Sequence, residues 1–168
     1  AHRQGVIHRD LTPANVMVSD VGLRRNAQVL DFGIGAFSDG RRREEIARLT
    51  ATNEAIGTPS YAAPEQLRGE PPTVRSDLYS WGLLLLECLT GERPVRGESI
   101  QEQLAQQLGP DPVDVPEAVR ALAVYRVLAR ALAKRPGERA ASAEELMELL
   151  RAASSPLAAT APSFEEKA

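Results

Sequence analysis

Three oxygen-bearing side chains follow short apolar segments near the start of the sequence. Asp10 comes after one such segment and is followed by Asn15, and Asp31 comes directly after another. Transfer of a phosphoryl group needs a carboxylate that accepts or orients the proton of the acceptor hydroxyl, together with oxygen ligands for magnesium. Magnesium typically takes only one or two ligands from the protein. If the two loops meet, these three residues supply that set.

The segments around these residues predict strands that present them on loops. Short, apolar and largely β-branched runs at residues 6–7, 16–18 and 29–30 predict two or three short strands. Residues 33–61 are rich in Gly, Thr, Ser and Arg without an apolar period, which predicts a long functional or mobile loop.

The rest of the chain is predicted to be helical. Ser76 and Asp77 can cap a helix that is apolar on nearly every side until Gly91, so this helix is expected at the centre of the core. Amphipathic spacing predicts three more helices, at residues 100–108, 119–132 and 142–150. The predicted fold is therefore mainly α with short β-hairpins.

The remaining composition limits the function classes. Twenty Lys and Arg against 23 Asp and Glu give a net charge of −3, which provides no general attraction for nucleic acid or for an anionic membrane. No apolar run approaches the roughly 20 residues that span a bilayer, and residues 1–5 show no signal-peptide core. The single cysteine, Cys88, is predicted to be a buried structural thiol, which fits a reducing, cytoplasmic location.

Five motifs between residues 5 and 150 stand in the order of a known family. The sequence resembles the protein kinases, of the bacterial serine/threonine type. The motifs are His8-Arg9-Asp10-Leu11-Thr12-Pro13-Ala14-Asn15, Asp31-Phe32-Gly33, Gly57-Thr58-Pro59-Ser60-Tyr61-Ala62-Ala63-Pro64-Glu65, Ser76-Asp77-Leu78-Tyr79-Ser80-Trp81-Gly82 and the late Arg139. The resemblance implies the C-terminal lobe of a kinase at residues 1–151, followed by a disordered Ala/Ser/Pro-rich tail at residues 152–168.

The resemblance also implies the role of each matching residue. Asp10 would be the catalytic base, and Asn15 and Asp31 would hold magnesium or manganese with ATP. Glu65 and Arg139 resemble a structural ion pair of the family, and Asp77 resembles the residue that braces the backbone of the catalytic loop. The substrate would be a protein with a Ser or Thr acceptor.

Four further positions concern specificity and regulation. Thr58 matches the threonine that serine/threonine kinases place beside the catalytic acid. Thr50 and Thr52 occupy positions that are commonly autophosphorylated in bacterial relatives, and Arg9 could pair with such a phosphate.

One position departs from the family pattern. The family usually has lysine two residues after the catalytic aspartate, where it contacts the transferring phosphate, but Thr12 stands there and no arginine replaces it at Ala14. Electrostatic contacts of this kind can be worth about 3–4 kcal/mol. The substitution therefore predicts reduced activity without excluding it.

The sequence contains no glycine-rich loop with its strand lysine, and no helix glutamate to pair with that lysine. The isolated chain is accordingly expected to bind ATP weakly or not at all, to be inactive or nearly so, and to leave an apolar face of the central helix uncovered. Two alternatives stay open. One is a catalytically silent, pseudokinase-like binding lobe, which Thr12 favours. The other is a small-molecule phosphotransferase of the aminoglycoside kinase kind, against which the Ala63-Pro64-Glu65 segment and Arg139 argue.

Overall fold

The computed structural model describes residues 1–22, 24–32 and 59–154. Within them the chain forms one antiparallel hairpin and six α-helices, with 3-10 turns at His2–Gln4, Pro13–Asn15, Pro59–Tyr61 and Pro136–Glu138. The strands are β1 (Val16–Val21) and β2 (Arg24–Val29), and the helices are α1 (Pro64–Leu67), α2 (Val74–Thr90), α3 (Ile100–Leu108), α4 (Glu117–Arg120), α5 (Tyr125–Ala131) and α6 (Ala143–Ala153). Four positions singled out from the sequence lie outside the described residues, as does the tail from residue 155: Gly33, Thr50, Thr52 and Thr58.

The hairpin accounts for two of the three predicted strands. Its register pairs Val16 with Val29 at one end and Val21 with Arg24 at the other, around a turn that contains Gly22 at φ 60°. All six residues of β2 are exposed, so the described part of the chain covers little of the hairpin. Residues 6–7 form no strand within the described part of the chain, so two of the two or three predicted strands are present; the amide of Val6 donates to the carbonyl of Ala1 at 3.2 Å.

The central helix α2 begins at Val74, before Ser76 and Asp77, the two residues predicted to cap it. Thr73 precedes the helix in extended backbone geometry, and its amide donates to Ser76 Oγ at 2.9 Å. Ser76 is therefore the third residue of the helix and reaches back to its start, as in a capping box. The predicted end is confirmed: Gly91 adopts φ 74°, a left-handed geometry that glycine adopts without strain.

Helix α2 lies between two apolar clusters and so has the central position that its composition predicted. One side packs Tyr79, Leu83 and Leu86 among residues of the later helices, and Leu78 joins the second cluster on another side. Gly82 permits the close approach of α5, because a Cβ atom there would stand 2.8 Å from Ala131 Cβ.

Two expectations about the helical region were wrong. Cys88 is exposed rather than buried, since it lies on the outward side of α2 beside the exposed Leu89. The helix expected over residues 119–132 is divided into α4 and α5, because the amides of Leu122 and Tyr125 donate three residues back instead of four. This tighter turn shifts the helical period and leaves Leu122 48% exposed.

Candidate active site

The hairpin brings Asn15 and Asp31 to the same end of the sheet. Asn15 immediately precedes β1, and its carbonyl accepts a hydrogen bond from the amide of Leu30 at 2.8 Å. Asp31 is the next residue along the chain and adopts φ 56°. Left-handed backbone costs a non-glycine residue roughly 1–2 kcal/mol, although aspartate tolerates it better than most. The register of the hairpin thus places Asn15 and Asp31 at the same end of the sheet, although they are 16 positions apart in the sequence.

Asn15 also connects to Asp10. Its Nδ2 donates to the backbone carbonyl of Asp10 at 2.8 Å and lies 3.4 Å from Asp10 Oδ2. Thr12 precedes the 3-10 turn that ends at Asn15, and its carbonyl accepts the amide of Asn15 at 3.0 Å. Because Nδ2 is engaged with Asp10, the atom of Asn15 that suits a cation is Oδ1. Asp10 itself is exposed and can meet a substrate.

His8 links the loop of Asp10 to the segment that leads into Asp31. Its side chain is buried, with Nδ1 accepting from the amide of Asp10 at 3.3 Å and Nε2 lying 2.7 Å from the carbonyl of Leu30. These partners assign a neutral ring with its proton on Nε2, because one nitrogen must accept and the other must donate. The ring of Phe32 meets the imidazole edge-on at a centroid distance of 5.0 Å.

Asp77 holds the backbone that precedes Asp10. This buried carboxylate on α2 accepts the amides of His8 and Arg9, at 2.7 Å on Oδ2 and 2.8 Å on Oδ1. His2 Nε2 lies 2.8 Å from Oδ2 as well. Hydrogen bonds from several donors suit an ionised carboxylate inside a protein. Arg9 has φ 73°, so the carboxylate stabilises a residue in strained, left-handed geometry.

Glu65 on α1 and Arg139, which follows the 3-10 turn at Pro136–Glu138, form a buried ion pair. Arg139 donates to both carboxylate oxygens, at 2.6 and 2.8 Å, and Ser76 Oγ donates to Glu65 Oε1 at 2.7 Å. Burial favours the neutral acid, but the hydrogen bonds and charge of Arg139 and the hydroxyl of Ser76 outweigh it, so the pKa of Glu65 lies below its usual value. Arg139 also donates to three backbone carbonyls and lies 4.6 Å from the centre of the Tyr79 ring.

Sequence reasoning missed Gln66, which connects α1 to the loop of Asp10. The side chain of Gln66 is buried, and its Nε2 donates to the carbonyl of Arg9 at 2.8 Å. Its Oε1 accepts the amide of Ala63 at 3.1 Å. The only sequence signal was its position directly after Glu65, because a glutamine on a short helix carries no chemistry of its own.

The donor set at the end of the hairpin fits a magnesium ion bound together with phosphates. Asn15 and Asp31 offer an amide and a carboxylate oxygen, which are hard ligands of the kind magnesium prefers. In the part of the chain that the structure describes, no group of three or more His, Cys, Asp and Glu side chains is arranged to bind a metal. Two protein ligands agree with a cation whose remaining ligands are phosphate oxygens and water.

Comparison with known proteins decides the family. A family model described as the protein kinase domain matches residues 1–150. The chain belongs to the protein kinase family. Among curated kinases, it is 40% identical over 154 residues to the serine/threonine-protein kinase PkaA of Streptomyces coelicolor, covering 90% of this chain and 26% of that protein.

Two further bacterial kinases show the same relationship. The chain is 42% identical over 151 residues to the DNA damage-responsive serine/threonine-protein kinase RqkA of Deinococcus radiodurans, covering 88% of the chain and 21% of that kinase. It is 38% identical over 148 residues to the serine/threonine-protein kinase PknB of Mycobacterium leprae, covering 87% of this chain and 22% of that kinase. The homology is therefore to the catalytic domain of serine/threonine kinases, and the chain spans about a quarter of the length of these relatives. None of the helices in residues 1–22, 24–32 and 59–154 is both long and apolar enough to cross a membrane.

Proposed function

We propose that residues 1–151 form the C-terminal lobe of a serine/threonine protein kinase, and that the complete protein transfers the γ-phosphoryl group of ATP to Ser or Thr hydroxyls of protein substrates. The observation that carries this proposal is the meeting of Asp10, Asn15 and Asp31 at one end of the hairpin, with the backbone before Asp10 held by the buried Asp77. The kinase relatives support the same reaction.

Each residue has a distinct task in this reaction. Asp10 accepts or orients the proton of the acceptor hydroxyl, for which its exposed carboxylate is suited. Asn15 Oδ1 and the Asp31 carboxylate hold the magnesium, which neutralises charge on the phosphates when bound. Asn15 also holds the carbonyl of Asp10 through Nδ2, so the metal ligand and the base are fixed relative to each other.

The C-terminal-lobe assignment rests on what the chain contains. The described residues are mainly helical around α2, with one hairpin beside the site, and the 168 residues include no glycine-rich loop or strand lysine for the phosphates. The adenine and α/β-phosphate contacts of a kinase would therefore come from elsewhere in the complete protein.

Acceptor choice and regulation belong to the same proposal. The sequence match at Thr58 supports Ser and Thr acceptors, and the names of the relatives agree with it. Autophosphorylation at Thr50 or Thr52 with pairing to Arg9, and a cytoplasmic location, stay predictions. Peptide mapping of the full-length protein after incubation with ATP tests the first of them, and it fails if no phosphate is found at either threonine.

The proposal is tested by phosphoryl transfer to a generic protein substrate in the full-length protein. Asp10→Asn and Asp31→Asn should each reduce turnover by about 100-fold or more, because one removes the base and the other a metal ligand. Asp20→Asn is the matched control, since Asp20 lies on β1 with an exposed side chain outside the site. Full activity of Asp10→Asn would overturn the proposal. Transfer to an aminoglycoside but not to protein, or partner binding without transfer, would replace it by one of the two alternative functions.

A further inference from the structure

We propose that Gln66 is a positioning residue that acts with Asp77 to hold Arg9 from both sides and thereby fixes Asp10. This inference rests on the proposed role of Asp10 as the catalytic base. The amide of Arg9 donates to Asp77 Oδ1 at 2.8 Å, and its carbonyl accepts from Gln66 Nε2 at 2.8 Å; both partner side chains are buried.

The backbone of Arg9 explains why two partners are needed. Arg9 adopts φ 73°, a region that residues with a side chain rarely occupy, and such geometry persists only where the surroundings enforce it. The amide bond to Asp77 fixes one side of the residue, whereas the carbonyl bond to Gln66 fixes the peptide that leads directly into Asp10. Without the second bond, this peptide loses its 2.8 Å contact and keeps the longer one, from the amide of Asp10 to His8 Nδ1 at 3.3 Å.

The orientation of the Gln66 amide is determined by its other partner. Oε1 accepts the amide of Ala63 at 3.1 Å, which requires an oxygen at that position. Nε2 must therefore face the carbonyl of Arg9. In the flipped amide, Nε2 would face the N–H of Ala63, which is also a donor, and Oε1 would face the carbonyl of Arg9, which is also an acceptor. Gln66 is 3% exposed, so water competes little for either bond.

The support of Gln66 is rigid because its neighbour Glu65 is anchored. Glu65 is held by Arg139 and by Ser76, and Ser76 belongs to α2, the helix that also carries Asp77. Asp77 and, through Glu65 and Ser76, Gln66 are thus both connected to α2. A base displaced by about 1 Å can lose about 100-fold in rate, so this arrangement matters for turnover more than for ATP binding.

Two substitutions at Gln66 distinguish its bond to the carbonyl of Arg9 from its bond to the amide of Ala63, which caps α1. Gln66→Met has similar length but makes neither bond. Gln66→Glu keeps an oxygen for the amide of Ala63 and loses the donor to Arg9. Gln101→Met is the control, because it makes the same chemical change at an exposed position on α3. All are made in the full-length protein, with melting temperatures measured first.

We expect both Gln66 variants to lower kcat by roughly 10- to 100-fold at neutral pH while KM for ATP changes by less than about twofold. For Gln66→Glu, the kcat of the variant divided by that of the wild type should rise as pH falls, since a protonated carboxyl can again donate to the carbonyl of Arg9. Hydrogen exchange at the amides of Arg9 and Asp10 should become faster in both variants, and exchange in the middle of α2 should not.

Three results would overturn the inference. Wild-type kcat in Gln66→Glu with loss in Gln66→Met would show that Gln66 only caps α1. Unchanged exchange at Arg9 and Asp10 in both variants would show that the carbonyl bond does not hold the loop. Loss of kcat in Gln101→Met equal to that in Gln66→Met would show a non-specific effect. If Asp10→Asn retained full activity, the proposed function would fail, but the exchange measurement would still decide whether Gln66 holds Arg9.

Discussion

The side chains of Glu65 and Arg139 are joined by two hydrogen bonds, of 2.6 and 2.8 Å, across 74 residues of sequence. Both residues are nearly inaccessible, at 2% and 1% exposure. The pair connects α1 to the segment between α5 and α6. Since α1 also carries Gln66, the pair supports the site although neither member faces a substrate.

Arg139→Met should destabilise the protein by about 3–5 kcal/mol, because it leaves the Glu65 carboxylate buried without its cation. Chemical denaturation measures this. Arg135→Met is a matched control, since the side chain of Arg135 forms an exposed pair with Glu138, and its loss should change stability by less than about 1 kcal/mol. Equal effects of the two substitutions would contradict the importance of the buried pair.

The same pair predicts an acid-labile contribution to stability. Because the pKa of Glu65 is lower in the folded protein than its usual value of 4.5, the folded state favours the ionised form. Its contribution should be complete above about pH 4.5 and should be lost as pH falls through the lower, folded pKa. Denaturation measured from neutral to acid pH should show a smaller loss of stability in Glu65→Gln than in wild type; identical slopes would contradict the assignment.

Asp77→Asn should weaken the hold on the loop of Asp10. The amide can accept at one oxygen only and presents a donor where the amide of His8 or Arg9 also donates. We expect a loss of about 1–3 kcal/mol in the free energy of unfolding and a lower kcat in the full-length protein. Asp114→Asn, at a highly exposed carboxylate, should change neither. An unchanged kcat in a folded Asp77→Asn protein would show that the loop needs no support from α2.

Thr12→Lys should raise the turnover of the full-length protein. A cation at this half-buried position, two residues after Asp10, would meet the charge that develops on the phosphoryl group. The gain should be about tenfold or more in kcat, measured under ATP saturation. Thr12→Met adds comparable length without charge and should give no gain. A rate that is unchanged or lower in Thr12→Lys would mean that the missing charge is supplied elsewhere or is not needed.

The 168-residue chain alone should bind Mg-ATP weakly, with a Kd above about 1 mM. In the proposed function Asn15 and Asp31 meet ATP through the metal, and carboxylates repel a polyphosphate in its absence. Calorimetry measures the affinity, with the full-length protein as the positive control. Tight binding to the isolated chain would show that residues 1–168 contain a complete nucleotide site.

The sequence predicted part of the fold and less of the helical packing. The hairpin follows from short apolar runs, and the roles of Asp10, Asn15 and Asp31, inferred from motifs, stay predictions. The division between α4 and α5 could not be predicted, because neither Gly nor Pro interrupts the apolar spacing there and the tighter turn at Leu122 depends on packing. The exposure of Cys88 was missed for a similar reason: an apolar neighbourhood in sequence does not determine which side of α2 is covered.

Gln66 and His8 show a second limit. Gln66 contacts the backbone carbonyl of Arg9, and His8 contacts that of Leu30. The sequence does not indicate which backbone carbonyl a side chain will meet. Only the fold shows which carbonyl a buried polar side chain meets. Residues of this kind are found from geometry, whereas carboxylates at loop ends can be found from type and spacing.

The hairpin separates two regions with different tolerance of insertion. Its turn at Gly22 lies six residue pairs from the end that carries Asn15 and Asp31, a span of about 17 Å between the first and last pairs. Residues added at the turn would lengthen a loop far from the reacting groups, whereas one residue added within either strand would slip the register and move Asp31 away from Asn15. The turn is therefore the natural point at which to attach a fluorescent label or an affinity tag to this protein.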